Sequence, residues 1–236
     1  MNLILLSADD FVSSNRARLH DARRVQHILQ IHKARVGDQL KVGMLNGLMG
    51  TAEVTAVGNQ EVELETFLQQ QPPSPLPLRL ILALPRPKML KRILQNCATL
   101  GVKEIILINS YRVEKSYWQT PILDAESIRE HLILGLEQGG DTMMPELRQV
   151  KRFKPFVEDE LPSLIQGSRA LVAHPYTQLA CPRQVDGAVT LAIGPEGGFI
   201  PYEVDLLSRC GFEAVHLGER ILRVDTAIPF IISRLF

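Results

Sequence analysis

AVTLAIGPEGGFI, residues 188–200, runs into PYEVDLLSRCGFEAVHLGERILRVDTAIP, residues 201–229, and this stretch decides the fold. The apolar run from Ala188 to Ile193 is too short for a helix between its glycine flanks and reads as a strand buried on both faces. It stops at Gly194-Pro195-Glu196-Gly197-Gly198, where three glycines let the backbone turn and approach a ligand closely. Pro201 suits the first turn of a helix, Tyr202 to Cys210 continue it, and Gly211 ends it. A second strand, Glu213 to Leu217, leads to Gly218 and a short charged loop, Glu219 to Arg223. Asp225 or Thr226 can cap a last helix that tolerates Pro229 only near its start. Strand, glycine turn and helix, twice over, place two loops at one edge of a parallel sheet, where open α/β sheets bind ligands.

Outward from this stretch the same alternation continues. Leu78 to Leu84 reads as a strand, Lys88 to Leu100 as an amphipathic helix stopped by Gly101, and Glu104 to Asn109 as a buried strand. Helices over 124–138 and 156–166 and strands over 146–152 and 169–173 complete an α/β domain on a mainly parallel sheet. QQQPPSPLP, residues 69–77, places four prolines in nine residues and can join neither a central strand nor a helix interior. A stiff linker over 71–78 therefore separates residues 1–70 from residues 79–236. In the first part, stretches over 39–42, 50–57 and 61–66 alternate like short strands, with turns at Gly37-Asp38, Asn46-Gly47 and Gly58-Asn59. With a short helix from Val25 to Ile31, they describe a small β-barrel-like module.

Twenty-six basic and twenty-six acidic residues cancel, so net charge alone argues against a nucleic-acid partner. Distribution argues the other way. Arg16 to Lys41 holds seven Lys or Arg against two acids, whereas Val42 to Gln71 holds four glutamates and no base, the pattern of a basic and an acidic face on one small module. Three widely spaced cysteines, Cys97, Cys181 and Cys210, suit a reducing cytoplasm rather than a disulfide framework, with Cys97 and Cys210 acting as small apolar residues. No His, Cys and Asp cluster has metal-ligand spacing. MNLILLSADD is not a signal peptide, and no apolar run is long enough to span a bilayer.

GPEGG followed some twenty residues later by Leu217-Gly218-Glu219-Arg220-Ile221-Leu222-Arg223-Val224-Asp225-Thr226-Ala227 resembles the C-terminal signature of the RsmE family. These are SPOUT-class methyltransferases acting on N3 of a uridine in 16S ribosomal RNA. Ala83-Leu84-Pro85 with Lys88, the EQGG of residues 137–140 with Pro145, and His174-Pro175 follow the family pattern further. His27-Ile28-Leu29 and Val36-Gly37-Asp38 match a motif of its PUA-like N-terminal barrel. The resemblance implies a trefoil knot whose loops hold S-adenosylmethionine (SAM). Those loops would comprise Ala173, His174, Pro175, Ile193, Gly194, Pro195, Glu196, Gly197, Gly198, Leu217, Gly218, Arg220, Ile221 and Leu222. It also implies a homodimer acting on the assembled small subunit. Gln30 and Asp141 stand where relatives carry arginine, Asn96 and Thr99 replace a lysine and a glutamate, and Asp225 is one methylene shorter than the usual glutamate.

Methyl transfer from a sulfonium is an in-line displacement that needs donor and acceptor held collinear. A uridine N3–H is too weakly acidic to react unaided at neutral pH, so the site must take that proton or stabilise the anion. Arg223, with its planar donor fork, is the candidate stabiliser of the anion, or holds a phosphate or the uracil carbonyls. Asp225 can orient Arg223, accept the proton, or cap the last helix. Glu196 can orient the cofactor or the base, or simply close its turn. His174 lines the cofactor or serves as a base, and Tyr176 stacks on an extruded base or packs. Tyr117 and Trp118, near Arg112 and Lys115, suit RNA or a subunit interface. Arg16, Arg18, Arg23, Arg24, Lys33, Arg35, Arg86 and Lys88 are candidate RNA-backbone contacts, supplying affinity and not sequence choice. Two other readings stay open: a SPOUT enzyme for another rRNA or tRNA position, and an inactive RNA-binding assembly factor. The missing GxGxxG and GKS or GKT motifs argue against a nicotinamide dehydrogenase and a P-loop nucleotidase.

Overall fold

The alternating stretches of the first seventy residues pair into a six-stranded sheet. Its members are β1 (Ile4–Leu6), β2 (Phe11–Ser13), β3 (Arg16–Leu19), β4 (Gln39–Met44), β5 (Met49–Val57) and β6 (Val62–Gln70) in the computed structural model, which describes residues 2–236. The order is β1-β4-β5-β6-β3-β2, antiparallel throughout except for β1 beside β4. Among the described residues its edges, β1 and β2, do not pair with each other. Period-two alternation builds the core: β3 exposes Arg16 and Arg18 while burying Ala17 and Leu19. Leu6, Val42, Val54, Val62 and Leu64 join them, closed over by Val25 and Ile28 from α1 (Ala22–Gln26) and the π-turn His27–Ile31.

The same pairing removes the separate charged faces expected from the sequence. Arg16 lies opposite Glu65 and Arg18 opposite Glu63 across β3 and β6, so the basic and acidic runs interleave on one surface. Arg18 reaches Glu63 at 2.7 Å and Arg16 at 3.6 Å.

The second sheet follows Pro77. Its strands are β7 (Leu78–Ala83), β8 (Glu104–Ile108), β9 (Glu146–Val150), β10 (Ser168–Ala173), β11 (Ala188–Ile193) and β12 (Glu213–Val215), all parallel, in the order β12-β10-β11-β7-β8-β9. Its central strands β7, β8 and β11 are apolar and buried along nearly their whole length, as strands covered on both sides are. The helices are α2 (Pro87–Thr99), α3 (Ala125–Gly139), the short α4 (Phe153–Pro155) and α5 (Leu161–Leu164), α6 (Pro201–Arg209) and α7 (Val224–Leu235). In α2 the buried residues Leu90, Ile93, Leu94, Cys97 and Ala98 recur at three- and four-residue steps, and α2 packs on α7. Each such leucine or isoleucine contributes about 1.5–3 kcal/mol by leaving water.

By compactness the chain divides into one unit running to Ser74 together with Leu132–Met144, and a second made of Pro75–His131 and Pro145–Phe236. Leu132–Met144, assigned with the second domain from sequence, thus clusters with the first sheet. There Glu137 receives both outer nitrogens of Arg23 at 2.6 and 3.2 Å, and Thr142 bonds Gly47 and Asn46 at the β4–β5 turn. The helix expected over 156–166 is instead a π-type stretch Phe156–Glu160 followed by α5, with α4 ahead of it, and Pro155 and Pro162 cannot donate backbone hydrogen bonds. β6 continues to Gln70, up to the start of the linker expected over 71–78. Pro229 sits mid-helix in α7 rather than at its start, and Arg223, not Asp225 or Thr226, is the residue that opens that helix.

Candidate functional site

Sheet register brings three loops together. Ala173, the last residue of β10, lies opposite Ile193, the last of β11, and opposite Val215, the last of β12. The chain leaves all three strands at the same carboxyl edge, into His174-Pro175, into GPEGG, and into the loop from His216 to Arg223. The first and third are tied at once, since His174 N–H donates to Val215 O at 2.9 Å. Farther along, His216 N–H donates to Leu179 O, and Gly218 N–H to His216 Nδ1 at 3.1 Å. Burial pushes the His174 imidazole below its usual value, leaving it neutral at neutral pH.

The GPEGG loop is shaped at two glycines. A Cβ on Gly194 would stand 2.8 Å from the backbone nitrogen of Phe199, so the chain folds back on itself too closely for any side chain. Gly198 adopts φ +71°, where a Cβ is strained, and its N–H closes a turn onto Pro195 O at 2.7 Å. Gly197, by contrast, faces only the flexible side chain of Arg112, whose guanidinium bonds the Gly197 carbonyl. Glu196 has a structural partner: its Oε1 accepts the Arg86 N–H at 2.9 Å, joining the loop after β7 to this one.

Sequence reading passed over Glu203. It is 3% exposed, and its two oxygens accept Ile200 N–H at 3.0 Å and Tyr111 N–H at 2.7 Å. The carboxylate thereby caps α6 and fixes the loop after β8 against it. The available signal was an acid at the third helical position after Pro201. Nothing local to Tyr111 or Arg112 marked them as neighbours of GPEGG.

Arg223 is exposed at the start of α7, with one outer nitrogen 3.2 Å from Asp225 Oδ2. Asp225 Oδ1 is shielded from water and has no hydrogen-bond partner, which leaves one buried acceptor beside a guanidinium. Arg220 and Ile221 are exposed, Ile221 at 70%, while Leu217 and Leu222 are half-buried.

The eight candidate RNA contacts are not alike. Arg24 is engaged internally: its outer nitrogens reach Asp10 at 2.7 and 2.9 Å, and the same group bonds Leu5 O and Asp21. Burial would raise the Asp10 carboxyl, but hydrogen bonds from Arg24 and Ser7 outweigh it and hold the group low. Arg23 is spent on Glu137, as described, and Arg16 and Arg18 share Glu63. Lys33, Arg35, Arg86 and Lys88 are exposed. Asp141 is buried and accepts Met143 N–H at 2.9 Å. Among the described residues there is no group of three His, Cys, Asp or Glu able to hold a metal, and no helix is long and apolar enough to cross a membrane.

Residues 72–236 match the family described as RNA methyltransferase domain. A ribosomal RNA small subunit methyltransferase E from Treponema pallidum is 29% identical over 96% of this chain and 87% of its own length. One from Borreliella burgdorferi is 26% identical over 96% of this chain and 94% of its own. A Legionella pneumophila protein assigned as a methyltransferase, solved with SAM bound, superposes with a TM-score of 0.76 at 25% identity, covering 98% of this chain and 95% of that one. Ribosomal RNA small subunit methyltransferase E from Neisseria gonorrhoeae, also solved with S-adenosyl methionine, gives 0.75 at 23% identity over 99% and 95%, and supports the fold. On the motifs, the strand register and a family match over most of its length, the chain belongs to the RNA methyltransferase family, as a member of its RsmE group.

Proposed function

We propose that this protein is a SAM-dependent methyltransferase that modifies N3 of a uridine in 16S rRNA of the small ribosomal subunit. The observation that carries the reading is the register of Ala173 with Ile193 and Val215, which sends the three motif-bearing loops out side by side. The residues present fit the cofactor. No atom lies within 4 Å of where a Cβ on Gly198 or Gly218 would stand, so the backbone of these two loops can lie against a ligand, and Ile221 offers an apolar surface to an adenine. SAM, when bound, supplies a methyl group on a sulfonium, open to in-line attack.

The chain's own residues do the rest. The loops after β10, β11 and β12 hold donor and acceptor in line and exclude water. Arg223 stabilises negative charge developing on the uracil, and the Asp225 carboxylate, whose Oδ2 steadies Arg223, receives the N3 proton. His174, neutral, lines the cofactor. We extend the proposal to the rest of the family architecture: a PUA-like first unit, a threaded C-terminus and a cytoplasmic homodimer. Support for threading comes from the ties between 181–185 and α7, with Gln184 N–H to Arg234 O at 3.0 Å and Val185 N–H to Leu235 O at 2.7 Å. Support for the dimer comes from Phe230 and Phe236, 43% and 38% exposed, while Ile228, Ile231, Ile232 and Leu235 fill the core.

Incubation with methyl-labelled SAM and undermethylated small subunits tests the reading, with label expected on one uridine of 16S rRNA. Arg223→Ala should cut turnover by about 100-fold or more while SAM affinity stays near wild type. Full turnover in that variant, or label on another molecule, contradicts the assignment.

A further inference from the structure

Beside the GPEGG loop lies a band of aromatic and cationic side chains that the methyl-transfer chemistry does not use. Tyr111 is 80% exposed, although its backbone N–H is anchored to the buried Glu203 carboxylate. Arg112, the next residue, is fixed on the Gly197 carbonyl. Arg86 is tied through its own N–H to Glu196, and its side chain faces the Tyr117 hydroxyl. Farther along, Trp118 Nε1 donates to Asn109 at 2.9 Å, and Lys151 Nζ stands over the Trp118 ring at 5.9 Å. Each link neighbours the last, so the band runs across the loops that follow β7, β8, β9 and β11.

We propose that this band receives a single-stranded RNA segment flanking the methylated base, with the Tyr111 ring as the platform on which one base stacks. The inference rests on the RNA-methyltransferase reading above. A large aromatic ring held out in water on a backbone fixed from below is unfavourable for the isolated protein. It is suited to a partner with flat π-faces. Charge selects the partner's class. The band and its borders carry Arg86, Arg112, Lys115 and Lys151 against Glu114 and Glu196. Those two acids are already engaged, Glu114 by the Tyr117 hydroxyl at 3.0 Å and Glu196 by Arg86 N–H. A polyanion with exposed bases satisfies both features.

Anisotropy of a fluorescein-labelled oligouridylate, titrated with the full chain, tests the inference. Tyr111→Ala should weaken binding roughly 5- to 100-fold, and Tyr111→Phe should retain it. The alanine variant keeps the N–H that Glu203 holds, so the loop itself stays in place. Lys151→Gln should lower the slope of log affinity against log salt by about 0.7. Calorimetry with SAM on the same proteins separates the two readings. Wild type that binds SAM, with Tyr111→Ala binding oligouridylate as tightly as wild type, overturns the surface alone. Wild type that binds no SAM overturns the enzymatic reading on which it rests. A Tyr111→Ala change in molecular mass by light scattering, with oligouridylate affinity intact, places the ring in a protein contact and overturns the inference as well.

Discussion

Glu203 shows how one buried charge organises several loops. Both carboxylate oxygens are used by backbone N–H groups on different segments, so a neutral amide there sets its own N–H₂ against a donor it cannot bond. Glu203→Gln is therefore expected to destabilise the fold by about 1–3 kcal/mol in urea unfolding; a loss within about 0.5 kcal/mol would mean the clamp carries little. Sequence alone could recognise Glu203 as an acid in a first helical turn, but its second bond, to Tyr111, spans ninety-two residues. Arg24 teaches the same lesson from the other side. In sequence it is one of seven bases in a run, and only the fold reveals Asp10 beneath it.

At the scale of elements, the loop after β11 asks for glycine where backbone meets backbone. Gly194→Ala puts a methyl against Phe199 N and must open the loop, whereas Gly197→Ala meets a side chain that can swing aside. SAM titration calorimetry should show the first variant losing affinity strongly and the second retaining it within several-fold; the reverse order would contradict the loop geometry. All three glycines looked equivalent in GPEGG, because the distinction depends on where the chain returns. The α/β alternation was legible for a simple reason: buried parallel strands and amphipathic helices leave different periods in the sequence. β1 and β2, with three residues each, are too short to leave one. The division at QQQPPSPLP was read from proline alone, and that residue-level signal could not foresee that Leu132–Met144 returns to the first unit.

The whole molecule should lose stability in two steps on acidification. Burial lowers His131, reinforced by Lys91 against an opposing Glu130, and burial lowers His174. Both imidazoles bind protons less readily folded than unfolded, so the unfolded chain gains protons first below 6.5 and stability falls with pH through that window. Asp10, held low by Arg24 and Ser7, keeps its contribution until pH falls below 3.8. Melting temperature should thus drop between about pH 7.5 and 5.5, and the drop should shrink in a His131→Gln, His174→Gln double variant; an unchanged slope would assign it to other groups. Over the same scale, methyl transfer requires three loops from adjacent strands to act as one pocket for a sulfonium donor. A crystal grown with SAM tests that most directly. Density against His174-Pro175, Gly194–Gly198 and Leu217–Leu222 together is the expected result, and SAM bound elsewhere, or not at all at saturating concentration, would contradict it.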